Sequence, residues 1–415
     1  MDEEDHRGFY YQLTQEGQLR WLGPEKGVVG MAAGAIVNAV WDIMARLANK
    51  PLWELIAEME PRELLKFIDF KHIADYVSRE EALALLEQVR PGWQERVQRM
   101  KDVGFRAYTT SCGWLGYPED VVRRKCKESL AEGHKYFKMK VGSRDVADDI
   151  KRAQWIREEI GEDLTLMMDA NQKWNVDTAV ANMKELIAAA RPIWIEEPTN
   201  CDDVVGHAKI AQDLAKVRGG MCGVATGEAA CNKIIFKQLL QLEAIRYCQI
   251  DSCRVAGVNE ILSILLMAAK AKVKVCPHAG GVGLCEYVRH LCMVDFVCFN
   301  PVDEQDRICE SITDSKGYFY DPVVMQKNDD GLFYKPAIAP GYAQMKEKTV
   351  ADYVFPHGPV WRGEEKARLP RKRQVEEAEA VLAREGIAPH QKMFAGMVAV
   401  AATAVGYYFL STRKK

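Results

Sequence analysis

Lys138 and Lys140 lie one residue apart in HKYFKMKVGS, His134 to Ser143, a stretch that otherwise reads as a buried strand. Side chains two apart on a strand share a face, about 6–7 Å from one another. Two ammonium groups in a partly desolvated site oppose each other's charge, which leaves one able to act as a neutral base near pH 7. Further polar residues close other short apolar runs: Asp169 in MMDAN, Glu196 in WIEEP, Glu228 in ATGE, Asp251 in IDS and His278 in CPH. Taken singly each has an ordinary explanation, since an Asp after an apolar run is more often a helix N-cap than a ligand. Together they recur at intervals of roughly 23–32 residues, about one strand–helix unit of a barrel. Repeated seven times in register, the pattern points to a shared site. Asp169, Glu196 and Glu228 are hard oxygen donors that would repel one another unless a cation joined them, and oxygen-only ligation favours Mg²⁺. Glu197, beside Glu196, is expected to point the other way. Asp251 is placed to hold the imidazole of His278 in one tautomer and raise its basicity. A base on one side, an acid on the other and a cation between them suit removal of a proton α to a carboxylate.

Those side chains need a frame that gathers strand ends. Residues 26–59 carry small and apolar residues at helical spacing, broken at NKP, and residues 60–103 continue the helical signal with no strand before them. From residue 104 the pattern alternates. FRAYTTSCGW, YFKMKV, LTLMMDAN, PIWIEEP, CGVATGE, YCQIDS, VKVCPH and FVCFN read as eight short strands, most of them separated by helical segments. This is an α/β fold with a parallel sheet, and the repetition favours closure into a barrel whose C-terminal mouth collects the strand-end residues. An open doubly wound sheet is the alternative, without a Gly-rich dinucleotide fingerprint to support it. Residues 320–361 read as loop.

The remaining bounds are brief. With 415 residues, 48% hydrophobic and 28% charged, the chain has ample material for a core, and a net charge of −3 gives no footprint for nucleic acid. Its twelve cysteines form no C-x-x-C pair, and MDEEDHRGFYY is neither a secretory signal nor an Arg-rich presequence, so free thiols in a reducing compartment are expected. Residues 362–390 read as a charged helical linker. Met393 to Ser411 is free of charge and followed by TRKK, the length and flank of a C-terminal membrane anchor, with a helix packed on the domain as the plainer reading.

The phrases AYTTSCGWLGY, FKMKVG, LMMDANQKW, WIEEPT, ATGE, IFKQLLQ, QIDSCR and CPHAGGVGLCE, in this order, resemble the enolase superfamily in its mandelate-racemase-like branch. The narrower likeness is to L-fuconate dehydratases and their vertebrate mitochondrial relatives, from about Arg7 to Trp361. The resemblance implies a modified TIM barrel of (β/α)7β type, residues 104–319. A capping domain over residues 1–103 precedes it, and a C-terminal segment, 320–361, packs on both. It implies one Mg²⁺ on Asp169, Glu196 and Glu228, with Lys140 as the base for the C2 proton. His278, paired with Asp251, becomes the acid for the departing C3 hydroxyl. Lys138, Asn171, Glu228, His278 and Glu310 would contact a sugar-acid substrate or its developing charge. The implied reaction is loss of water from L-fuconate through a metal-stabilised enediolate to a 2-keto-3-deoxy acid, with a racemase or epimerase as the alternative. In the family, cap strands and a substrate-closing loop precede the helices at 26–59, so a partial cap is expected here. A catalytically impaired, membrane-tethered form is therefore a further alternative. The resemblance also implies a mitochondrial protein, a homo-oligomer being compatible with it; the cytoplasm or an organelle membrane are the other locations considered.

Overall fold

Helix α2 (Val28–Leu47) is long and apolar enough by composition to cross a membrane, yet its Val37, Trp41 and Ala45 are buried inside the molecule. The computed structural model describes residues 3–15, 27–217, 222–281, 283–302, 306–311 and 317–362. Beyond Arg362, the linker read over 362–390 and the candidate anchor at 391–415 lie outside them.

Before α2 comes α1 (Glu3–Gln15); after it come α3 (Leu52–Glu58), α4 (Pro61–Leu64), α5 (Arg79–Val89) and α6 (Trp93–Asp102). The break at NKP is made by Asn49 in the left-handed region, φ 53°, and by Pro51 as the N-cap of α3. Ser78 and Glu81 start α5 with a reciprocal capping box. This helical layer is fastened to the barrel by buried polar contacts. Trp41 Nε1 donates to Asn259 Oδ1 at 2.9 Å, Asn259 Nδ2 to the Phe67 carbonyl at 2.9 Å, and Lys233 Nζ reaches the Asp69 carboxylate at 2.5 Å. Gly34 lets α2 approach closely: a Cβ there would stand 2.5 Å from the Val255 carbonyl.

The barrel runs β1 (Phe105–Gly113), α7 (Glu119–Glu132), β2 (Tyr136–Lys140), α8 (Val146–Ile160), β3 (Thr165–Asp169), α9 (Val176–Ala190), β4 (Trp194–Glu196), α10 (Val204–Leu214), β5 (Gly223–Thr226), α11 (Lys233–Gln241), β6 (Tyr247–Cys248), α12 (Val258–Ala271), β7 (Lys274–Val275), α13 (Leu284–Val294) and β8 (Cys309–Ser311). Strands β1 to β7 pair in chain order, all parallel, and β8 pairs parallel with β1. Lys274 and Tyr247 both bind the Asp306 carboxylate, at 2.5 and 2.6 Å, where β7 meets the approach to β8. Inside the ring Tyr108, Tyr136, Met167, Trp194, Ala225, Tyr247, Cys276 and Ile308 form a separate buried cluster, while Phe137, Leu166, Met168, Ile195 and Val224 face the helices. This apolar plug fills the barrel floor, as packed barrels require.

Two sequence expectations are corrected. FVCFN is not the eighth strand: Asp295–Phe299 is a π-helical turn continuing α13, and the strand that closes the ring is Cys309–Ser311. Phe296, Val297 and Phe299 of that turn are all buried, so the short run lacks the polar face that distinguishes a helix from a strand by period. Residues 320–361 are not simply loop. A hairpin of β9 (Met325–Asn328) and β10 (Gly331–Tyr334) adds antiparallel to β1, and α14 (Glu347–Tyr353) follows. Its turn is an Asx turn, Asn328 Oδ1 accepting from Asp330 N at 2.8 Å before Gly331 at φ 125°.

His290 joins three parts of this frame. On α13 it accepts from Trp53 N at Nδ1, 3.3 Å, and faces the Tyr342 carbonyl through Nε2 at 2.8 Å. Burial holds its pKa down at about 3. The unfolded chain takes up this proton below about pH 6.5 and the folded chain does not until about pH 3, so stability is full above 6.5 and falls as pH drops through that window. His290 alone is expected to remove about 2 kcal/mol of unfolding free energy between pH 7 and pH 5. Urea midpoints at the two pH values check this against His290→Gln, and equal pH slopes in both proteins would refute it.

Candidate active site

Period two builds the site on the plug. The residue two positions after each plug member points the same way, one layer nearer the mouth. Tyr136 is followed by Lys138 and then Lys140, Met167 by Asp169, Trp194 by Glu196, Tyr247 by Gln249 and then Asp251, Cys276 by His278, and Ile308 by Glu310. Glu228 stands outside this rule, after Gly227 at φ 139°, where the chain turns from β5.

These side chains converge. One carboxylate oxygen each from Asp169, Glu196 and Glu228 lies within 4.8 Å of the others. Lys138 Nζ, 1% exposed, sits beneath them at 2.7 and 2.9 Å from the two Glu196 oxygens, 3.3 Å from Glu310 and 3.7 Å from Asp169. It also donates to Tyr108 OH at 3.4 Å. Lys140 Nζ lies 2.5 Å from Asp169 Oδ2 and 5.4 Å from the Trp114 ring centre. Across the mouth, His278 Nδ1 meets Asp251 Oδ2 at 2.9 Å, and its Nε2 faces Glu310 at 3.7 Å and Glu228 at 3.8 Å. Glu310 is oriented by Ala279 N at 3.0 Å. Asn171 N donates to Asp169 Oδ1 at 2.8 Å, and its amide lies 3.5 Å from Oδ2.

The electrostatics follow from burial and these neighbours. Burial alone would raise Asp169, but Lys138 and Lys140 hold it below the usual carboxylate range. Burial, reinforced by Asp169, Glu228 and Glu310, pushes Glu196 up against the pull of Lys138. Burial opposes charge on Lys138, and Glu196 and Glu310 outweigh it, so Lys138 is held protonated. The repulsion expected between the two lysines is thus outweighed at Lys138 by Glu196 and Glu310. Burial works against charging His278, while the Asp251 hydrogen bond, Glu310 and Glu228 raise its pKa. Glu197 faces Gln172 Nε2 at 2.8 Å, and burial with Glu228 and Asp169 pushes it up to about 7. Glu197, Asn171 and Gln172 hold φ of 40°, 43° and 62°. Such backbone costs about 1–3 kcal/mol each and clusters at functional sites.

The donor set fits a divalent ion. Asp169, Glu196 and Glu228, with Glu310 nearby, crowd hard carboxylate oxygens around the buried Lys138, a set that a divalent cation would hold together. Oxygens around octahedral Mg²⁺ stand about 3–4 Å apart, so the three ligands need to close only slightly.

The structure brings together every residue singled out in the sequence. It also adds contacts that sequence reading missed: Gln249, whose Nε2 donates to Glu196 Oε2 at 2.8 Å, Tyr108, Trp114 and Gly280. Gln249 was legible from its place two residues before Asp251. A Cβ on Gly280 would come within 2.4 Å of His278 Nε2.

Among the described residues no nucleophile–base pair and no phosphate cradle is built at this mouth; the parts are those that steady negative charge beside a carboxylate while protons move on either side. That is the work of the enolase superfamily, and the chain belongs to it, residues 121–331 matching the family model described as enolase C-terminal domain-like. Bovine mitochondrial enolase superfamily member 1 is 50% identical over 86% of this chain and 79% of its own. The crystal structure of the human protein of that name, 47% identical, superposes with a TM-score of 0.82 over 88% of this chain and 81% of its own. L-galactonate dehydratase of Hypocrea jecorina is 44% identical over 83% and 75%. L-talarate/galactarate dehydratase of Salmonella typhimurium LT2, 26% identical with a TM-score of 0.61 over 84% and 72%, was solved with Mg and L-lyxarohydroxamate. The family and the modified TIM barrel expected from the sequence are both met.

Proposed function

We propose that the chain is a Mg²⁺-dependent acid-sugar dehydratase acting on L-fuconate. The observation that carries this reading is the placement of Lys140 on β2 and His278 after β7 on either side of the carboxylate triad. The L-galactonate dehydratase relative supports the substrate class, and L-fuconate is the 6-deoxy counterpart of L-galactonate. The relatives' name supports a mitochondrial location.

Asp169, Glu196 and Glu228 would hold Mg²⁺, which supplies Lewis-acid stabilisation of charge on the substrate carboxylate. Lys140 in its neutral form takes the proton from C2. Lys138 stays charged below, and Glu310 and Asn171 line the path of the acid and the carboxylate. His278 donates its Nε2 proton to the C3 hydroxyl, the C3–O bond breaks, and water leaves. Asp251 keeps Nδ1–H engaged, so Nε2 is the working nitrogen. The enol left between C2 and C3 tautomerises to the 2-keto-3-deoxy acid, and solvent restores both protonation states.

The test is turnover of L-fuconate, L-galactonate and galactarate with Mg²⁺, read as 2-keto product. Product from none of them overturns the dehydratase; deuterium entering C2 from solvent without loss of water identifies the racemase or epimerase instead.

Gly280→Ala should crowd the His278 ring from its Nε2 side and lower dehydration about 10- to 100-fold, because misplacement near 1 Å costs on this order. The comparison is kcat at matched melting temperature; a fully active variant would place the working ring elsewhere.

A further inference from the structure

We infer that Arg152, on the first turns of α8, is a positioning residue that locks the base Lys140 and the neighbouring Trp114 indole into one unit; the inference rests on the role proposed for Lys140. Arg152 is buried, and its Nη1 donates to the Lys140 carbonyl at 2.9 Å, shared with those of Trp114 at 3.3 Å and Gly113 at 3.4 Å. Its Nη2 reaches Ser143 Oγ at 3.3 Å and the Asp149 carboxylate. Asp149 in turn accepts from Gly142 N at 2.8 Å, Ser143 N at 3.0 Å and Ser143 Oγ at 2.6 Å. One buried pair on α8 therefore terminates β1 and β2 together and shapes the turn behind Lys140.

The two strand ends need such a tie. Pairing of β1 with β2 is irregular between Thr109 and Gly113, and a Cβ on Gly113 would stand 2.4 Å from Met139 Cβ. This close approach brings Trp114, 47% exposed, beside Lys140 Nζ. Docking of α8 is already served by buried Ala153, Ile156 and Ile160. A buried ion pair costs desolvation that apolar residues of similar volume avoid, so helix packing alone does not account for it. The carbonyls that the guanidinium gathers do.

In Arg152→Met, kcat is expected to fall on the order of 10²-fold with KM within about threefold, Mg²⁺ affinity unchanged and a larger C2-deuterium isotope effect on kcat. Arg152→Lys should recover part of the rate. The double change D149N with R152M strands no buried charge and serves if the single variant does not fold. Amide hydrogen exchange at 113–115 and 140–143, measured without substrate, should quicken in the variant. Unchanged exchange, or kcat within twofold of the parent, overturns the brace, as does a rate loss matched by lost Mg²⁺ affinity. Absence of turnover in the parent chain would instead overturn the reaction, while the exchange measurement still decides the brace.

Discussion

Lys140→Ala is expected to abolish both dehydration and exchange of the C2 proton with solvent, whereas His278→Asn abolishes dehydration and leaves exchange running. The difference follows from the strands that carry them. Lys140 ends β2, with its amine beside Asp169 and the mouth, and His278 follows β7 with Nε2 turned to Glu310 and Glu228. If Lys140 alone addresses C2, its loss stops the first proton transfer and everything after it. Losing His278 leaves the C2 proton free to depart and return, but leaves the C3 hydroxyl without an acid. A positioned acid or base contributes about 10²–10⁴-fold, so each dehydration rate should drop by about 10³ or more. Asparagine retains a hydrogen bond to Asp251, which limits the structural damage. The measurement is proton NMR of the sugar acid in deuterium oxide alongside product assay. Exchange surviving in the lysine variant and vanishing in the histidine variant would reverse the two roles.

Much of this site was legible because strand geometry is simple. Once Tyr136, Lys138 and Lys140 are placed on one strand, period two sends all three inward, and the same rule carries Asp169, Glu196 and His278. Regular spacing of acidic strand ends then implies convergence, as a closed barrel requires. What escaped had no periodic signal. Arg152 and Asp149 lie on a helix with several other charges and no spacing that singles them out, and only the fold reveals that they turn back onto strand ends. Gly280 has no side chain to announce itself, although its lack of a Cβ is what admits the His278 ring. The π-helical turn after α13 and the three-residue β8 were exchanged because an apolar run buried on all sides looks the same in either conformation. Strand β8 is also short and carries Glu310, a residue that propensity alone keeps out of strands.

Glu228→Gln is expected to remove Mg²⁺ binding while leaving the barrel folded. Glu228 is the informative ligand. Glu196 is engaged by Lys138 and Gln249, so changing it would take from the buried ammonium its nearest carboxylate, leaving only Glu310 at 3.3 Å and Asp169 at 3.7 Å, and would disturb the fold as well as the ion site. Asp169 likewise holds Lys140 and the Asn171 backbone. The Glu228 side chain is 20% exposed, with His278 at 3.8 Å, and an amide there removes one ligand and one negative charge with little disturbance. Mg²⁺ added to the parent protein at about 100 times its dissociation constant should stabilise it by about 2.7 kcal/mol, since the ion binds the folded state. In the variant that rise should disappear, calorimetry should show affinity weakened about 100-fold or more, and dehydration should fall with it. Glu310→Gln supplies the contrast: it also removes a buried carboxylate near Lys138 but no member of the triad, so its Mg²⁺-dependent stabilisation should persist. Were both variants to bind the ion as tightly as the parent, the three carboxylates would be a structural cluster, and the charge they share would have to be neutralised by Lys138 and Lys140 alone.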